Sequence, residues 1–481
     1  MKAKTKNRGL IILVSMIFIL FFKFIPAPEG LSQAAMQVVG IFIGVLILWM
    51  TISIDWPSML CLAALAFVPG IKMNSILSSG MGNATFAFLM FTFMCTYTLS
   101  QTPFIRRCAI SFITSKTAQK SPWRFIMLYF ASTLFLGSFM SPTVLVVIMI
   151  AVTEEIFAVL GLEKGDKISS MMMMGMVFCS SISAGMTPIA HVFPLMAMGY
   201  YTTATGNVIS YAQYMAMGIP AGLILTAVMM LIFKFILKPD LSSLKSLDIS
   251  HLKDELPAMD KREKYSLIIF FAVIALWVVP GVVKPWLPGV YEYINSFGTA
   301  MPPLLGAVAM AIVTVDGVPL LNFKEATSKG IPWASLIMVA ATLALGSVMT
   351  NSDIGLTAWI GDKITPITAG MSVMALVFLF ALWAALQTNL SSNMVTVTVV
   401  CAIALPICMS VTGINVGAVA AIIGMMASYA FATPPAMATI VFAIGSGWTT
   451  TTQVAKYGFI LMIFGVLSAC FVAYPIATLV M

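Results

Sequence analysis

Apolar residues in this chain come in long blocks separated by short polar stretches. Continuous apolar runs fill 9–25, 34–52, 211–233, 265–280 and 457–479, close to the roughly 20 residues that a helix needs to cross a bilayer. Further apolar blocks lie at 124–160, 168–200, 299–315, 331–349, 366–410 and 416–447. The period-two alternation of a membrane β-barrel is absent from them. The pattern predicts an all-α polytopic membrane protein.

Four of these blocks are interrupted where a spanning helix needs an unbroken hydrogen-bond ladder. The segment 124–160 has Ser141-Pro142-Thr143 at its centre, with arms of about 15 residues, short for a span, and reads as a re-entrant hairpin. A serine or threonine at such a tip is expected to cap the second arm. The segment 367–410 reads the same way, with Ser391-Ser392-Asn393 at its tip. The helices 168–200 and 416–447 are broken at Met186-Thr187-Pro188 and at Ala432-Thr433-Pro434-Pro435. The two hairpins are related by a shift of 251 positions and the two breaks by a shift of 246. This predicts two inverted repeats, 1–237 and 265–481, joined by a polar linker loop at 238–264 and containing about eleven transmembrane helices. Such a layout is common in secondary transporters.

Charge sets the orientation. Basic residues cluster at 2–8, 106–124, 164–167, 238–264 and 324–329, while the alternate loops are nearly uncharged. The positive-inside rule places those clusters in the cytoplasm, with the N-terminus inside and the C-terminus outside the cell membrane. The basic start is read as an uncleaved first helix. The net charge of +8 is therefore a topology signal, and nucleic acid is not an expected partner. The whole chain is 60% hydrophobic and 9% charged, with a mean hydropathy of +1.03. Seven cysteines, without paired spacing, are expected as small buried apolar side chains.

The interrupted blocks are also uncharged. No Asp, Glu, Lys or Arg occurs in 125–153, 168–233 or 364–455. Broken backbone at membrane depth is costly unless it lines a cavity or a ligand. Freed N–H groups suit an anion, and freed carbonyls suit a cation. A proton-driven carrier usually needs an intramembrane carboxylate; Glu154 and Glu155 are expected near the cytoplasmic interface instead, as is Lys456. His191, one turn past the first break, is either a packing histidine or a pH-sensitive donor to an anion. The Met171–Met174 run is expected to pack against lipid or other helices. The only other histidine, His251, is in the linker, so no catalytic cluster is visible and an enzyme is not expected. A channel would not need two matched pairs of interruptions.

At these residues the chain resembles the divalent anion/sodium symporter family of di- and tricarboxylate carriers. The likeness is densest in "ATPPAMATIVFAIGSGWTTTTQVAKYGFIL" (432–461) and "WASLIMVAATLALGSVMTNSDIGLTAWI" (333–360). It implies a homodimer embedded in lipid, an elevator motion and sodium coupling without any other cofactor. It implies substrate contacts from Ser141, Thr143, Ser392, Asn393 and Met394, with Thr187-Pro188 and Thr433-Pro434 supplying the facing loops. One sodium site would use Thr388, Ser391, Asn393 and the Ala432 carbonyl. The other would use position 137, Ser141, position 142 and a carbonyl near Gly185. This chain departs from the family pattern there, with Gly137 and Pro142 in place of oxygen-bearing side chains, and also at Met394 and Ala436. The resemblance therefore implies a carrier of C4-dicarboxylate or citrate-like dianions with a degraded first sodium site. A sodium-independent exchanger, or a carrier of sulfate or another small anion, is the alternative.

Overall fold

The computed structural model describes residues 2–189, 191–246, 251–368, 370–434 and 436–481. Pro435, read above as part of the second break, lies outside them. The chain opens with α1 (Lys2–Phe21), α2 (Gln33–Thr51) and α3 (Trp56–Leu65); Ser32 and Asp55 start the last two as side-chain caps. α4 (Met73–Ser79) and α5 (Ala84–Ser100) meet at a bend of 49°. α6 (Phe104–Ile113) leads into a hairpin of α7 (Pro122–Gly137) and α8 (Pro142–Leu160). α9 (Lys167–Met186) and α10 (Val192–Thr205) are the two pieces of the first broken helix, and α11 (Tyr211–Ile232) follows.

Past the linker, with α12 (His251–Asp254), come α13 (Lys261–Val283), α14 (Pro288–Ser296) and α15 (Met301–Ile312). A two-strand ladder of Thr314–Val315 (β1) and Val318–Pro319 (β2) turns on Asp316-Gly317, both at positive φ. Asp-Gly is the pair such a turn selects. α16 (Phe323–Glu325) and the π-turn Ala326–Gly330 meet α17 (Trp333–Met349) at 71°. α18 (Leu356–Thr368) precedes a second hairpin of α19 (Val373–Leu390) and α20 (Asn393–Ser410). α21 (Val416–Ser428) and α22 (Ala438–Gly445) are the second broken helix; α23 (Thr451–Ser468) and α24 (Tyr474–Val480) end the fold.

The protein is thus an all-α membrane protein. Among the described residues eight helices are long and apolar enough to cross a bilayer, or ten if each bent pair is one span. The second hairpin begins later than the apolar run suggests. α18 takes the residues up to Thr368, and Ser372 caps a fresh helix with its side chain on the Ala375 N–H.

The core lies where the broken helices meet. α9 is buried from Ile168 to Met186, so the four methionines pack against helices and not lipid. It is enclosed by α7, α8, α11 and α21. The second pieces cross over: α10 packs on α20 and α21, and α22 packs on α8 and α9. α13 instead exposes Ile268, Leu276, Val279 and Val282, an outward apolar face suited to lipid. Six of the seven cysteines are buried, with Cys108 half-buried. At the edge of the apolar zone Arg107 grips buried Glu263 with two bonds of 2.9 and 3.0 Å, and Arg106 pairs with Glu155 at 3.0 Å. Glu154 accepts from the Trp448 indole at 3.0 Å. These pairs tie α6 to α13 and to α8.

Candidate functional site

Four helices begin around one cavity of about 340 Å³. Their N-cap residues are Ser141 (α8), His191 (α10), Ser392 (α20) and Met437 (α22). All four line the cavity, together with the first residues of their helices: Pro142, Thr143, Val192, Phe193, Asn393, Met394 and Ala438. Phe93, Pro332, Ser335 and Ala436 complete the wall. Among the described residues the lining carries no Asp, Glu, Lys or Arg.

The caps at this cavity differ from caps elsewhere. Ser372, Asn415 and Thr450 each accept a hydrogen bond from their own helix. Ser141 and Ser392, equally able to do so, do not. The capping expected of them is therefore not seen: Pro142 at N1 sets the backbone of α8, and both hydroxyls are left facing the cavity. Each uncapped helix start presents free N–H groups and the positive end of its dipole. Four of them on one neutral cavity make an anion site without a fixed charge.

Each break is held by a bond to the first arm of the hairpin in its own half. Thr187 Oγ1 donates to the Ser138 carbonyl at 2.6 Å, and Thr433 Oγ1 donates to the Asn389 carbonyl at 2.5 Å. Both hydroxyls are thereby spent on backbone, and Thr187, Pro188, Thr433 and Pro434 do not line the cavity. The structure brings Ser141, Thr143, His191, Ser392, Asn393 and Met394 together and sets the four break residues behind them.

The two halves treat freed carbonyls differently. In the first half His191 Nε2 lies 2.7 Å from the Gly137 carbonyl. A carbonyl only accepts, so Nε2 carries the hydrogen. Tyr214 Oη donates to the Gly185 carbonyl at 3.0 Å. A Cβ at position 137 would lie 2.1 Å from Ser183 Oγ, so a side chain there requires the Ser183 hydroxyl to turn away. In the second half Thr388 Oγ1 lies 2.8 Å from the Ala427 carbonyl and 2.9 Å from Asn393 Oδ1. Ser391 turns its hydroxyl to the Gln387 carbonyl at 3.0 Å. Ala432 is anchored by its N–H to Asn389 Oδ1 at 2.8 Å. The second half thus gathers the Thr388 hydroxyl, Asn393 Oδ1 and the Ala427 carbonyl in one oxygen cluster, whereas in the first half the Gly137 and Gly185 carbonyls each meet a protein donor.

Asn389 is the residue that sequence reasoning missed. Its Oδ1 accepts from the N–H groups of Phe431 and Ala432, and its Nδ2 donates to the carbonyls of Ala385 and Tyr429. An asparagine inside an apolar arm was the available signal, since buried amides in membrane helices seek partners.

With this arrangement in view, the comparisons with known proteins fall into place. Residues 4–479 match the family described as the sodium:sulfate symporter transmembrane region, and the chain belongs to that family of membrane transporters. It is 24% identical over 472 residues to the sodium-dependent dicarboxylate transporter SdcS of Staphylococcus saprophyticus, covering 93% of this chain and 87% of that one. The protein of the same name from Staphylococcus aureus is 24% identical over 498 residues, covering 98% and 91%. Among solved structures the YdaH transporter of Alcanivorax borkumensis has a similar fold, with a TM-score of 0.56 at 11% identity over 83% of this chain and 87% of that one.

Proposed function

We propose that this protein is a secondary carrier of small organic dianions in the C4-dicarboxylate range, coupled to sodium through a single site at Thr388, Ser391 and Asn393. The observation that carries the reading is the convergence of four uncapped helix starts on one cavity without charged side chains. Dipoles and hydroxyls can hold a carboxylate at each end of such a cavity and still release it, whereas a fixed cation would hold it more firmly. The names of the SdcS relatives support both sodium and dicarboxylate. On this reading the repeats 1–237 and 265–481 are inverted, the hairpins re-enter from opposite sides, and the site is carried across by an elevator motion within each subunit of a homodimer. The N-terminus is cytoplasmic.

One observation favours a second reading. The carbonyls of Gly137 and Gly185 are taken by His191 and Tyr214, which suits a sodium-independent exchanger.

Uptake of labelled succinate into proteoliposomes separates the two. The symporter is driven by a sodium gradient alone, with a sodium dependence close to first order. The exchanger ignores sodium and requires succinate inside. A steep multi-ion dependence contradicts both. An absence of uptake removes dicarboxylate and leaves sulfate as the next anion to try.

A further inference from the structure

The site cavity adjoins a second one of about 290 Å³, and the two share Phe93, Ser141, Thr143 and Pro332. One wall of the second is a stripe of α5: Phe93, Thr96, Tyr97 and Ser100, at the i, i+3, i+4, i+7 spacing of a single helix face. At 1.5 Å per residue it runs about 10 Å from the site to the last residue of α5. The facing wall is the corner Lys329-Gly330-Pro332, where the π-turn meets α17. This corner sits hard against α5, since a Cβ on Gly330 would lie 2.7 Å from Tyr97 Cβ.

Lys329 is the one charged side chain lining either cavity among the described residues. Its partner Glu325 lies 3.4 Å away, one turn earlier, and the two side chains are 65% and 50% exposed. An exposed pair of this kind holds weakly, so the ammonium can exchange Glu325 for another anion. Lys329 also belongs to the basic cluster 324–329 that the positive-inside rule assigns to the cytoplasm.

We propose that the groove between α5 and the 329–332 corner is the access vestibule of the anion site, and that Lys329 is the charge that draws a small organic anion into it from the cytoplasmic side. This rests on the carrier reading above. The site itself offers only dipoles and hydroxyls, whose attraction is short-ranged. A unit charge at the mouth of a low-dielectric groove acts further out and raises the local anion concentration. Its effect fades as salt shortens the Debye length. Ser141 and Thr143 line both chambers, so their hydroxyls receive the anion as it leaves the vestibule.

The test is succinate transport measured from the Lys329 side, in inside-out vesicles. Lys329→Gln is expected to lower uptake at limiting succinate by about tenfold at low ionic strength, the lower end of electrostatic steering. The deficit should shrink in high salt, the saturated rate should be kept, and Lys329→Arg should restore the wild-type curve. As a second arm, Ser100→Cys is treated with a negatively charged methanethiosulfonate. Uptake should be blocked, succinate should slow the block, and the wild-type chain with its own cysteines should be unaffected. The vestibule is overturned if wild-type protein transports succinate while Lys329→Gln matches it at every salt concentration and the modified Ser100→Cys protein transports normally. If wild-type protein transports no succinate at all, the carrier reading falls first and the vestibule falls with it.

Discussion

In the first half of the molecule Thr187 holds its broken helix by a 2.6 Å bond to the Ser138 carbonyl; in the second half Thr433 does the same to the Asn389 carbonyl at 2.5 Å. The latch is shared, and its surroundings are not. Ser138 turns its hydroxyl back to Leu134, 2.8 Å away in its own helix. Asn389 stitches the break to the hairpin arm with three further bonds, to Tyr429, Phe431 and Ala432. Around the first latch the freed carbonyls are met by donors from His191 and Tyr214. Around the second, the Thr388 hydroxyl lies between Asn393 Oδ1 and the Ala427 carbonyl. One backbone design thus meets its freed carbonyls with side-chain donors in the first half and with a hydroxyl–amide cluster in the second.

The largest test of this contrast is Asn389→Ala. It strands two buried N–H groups at about 1–3 kcal/mol each, so a loss of about 3–5 kcal/mol is expected. Ser138→Ala, at the matching position, should cost less than about 1 kcal/mol. Thermal unfolding in detergent compares them, and equal losses would erase the asymmetry.

Next in size is Thr388→Val, which removes the central hydroxyl of the oxygen cluster. The sodium concentration for half-maximal uptake should rise at least tenfold, or about 1.4 kcal/mol. An unchanged sodium titration would move the ion elsewhere.

His191→Phe keeps the bulk but leaves the Gly137 carbonyl without its donor, a loss of about 1 kcal/mol. The expected result is a roughly fivefold weaker apparent affinity for the anion, with sodium dependence unaltered. An increase in sodium order would show that the ring had been excluding an ion.

The smallest effect belongs to Tyr214→Phe. It frees the Gly185 carbonyl, costs about 1 kcal/mol of stability and should leave the sodium titration where it was. A steeper titration would mean that the freed carbonyl had recruited a second sodium.

Much of this contrast was within reach of the sequence, for a physical reason. Proline and serine inside apolar runs leave few conformations, so the tips at 141–143 and 391–393 and the breaks at 187–188 and 433–434 could be read directly. The latches could not. Thr187 and Ser138 are 49 positions apart, and Thr433 and Asn389 are 44 apart. Which of several hydroxyls faces which carbonyl is decided by packing, not by spacing. In hindsight the pairing respects the repeat, because Ser138 and Asn389 differ by the same 251 positions as the tips. The Asp316-Gly317 turn and the Ser372 cap were local signals that went unread.

The crossover of the second pieces has a consequence for how the protein is made. α10 leaves the insertion machinery long before α20 and α21, the helices it packs against. α22 in turn must find α8 and α9, which were synthesised some 250 residues earlier. Contacts this distant in sequence form late. The half-made chain therefore holds α9 against α7, α8 and α11, while α10 waits for α20 and α21 until the last quarter arrives. A nascent chain stopped after α19 would hold the first hairpin and first break, yet lack the α20, α21 and α22 packing that closes the site.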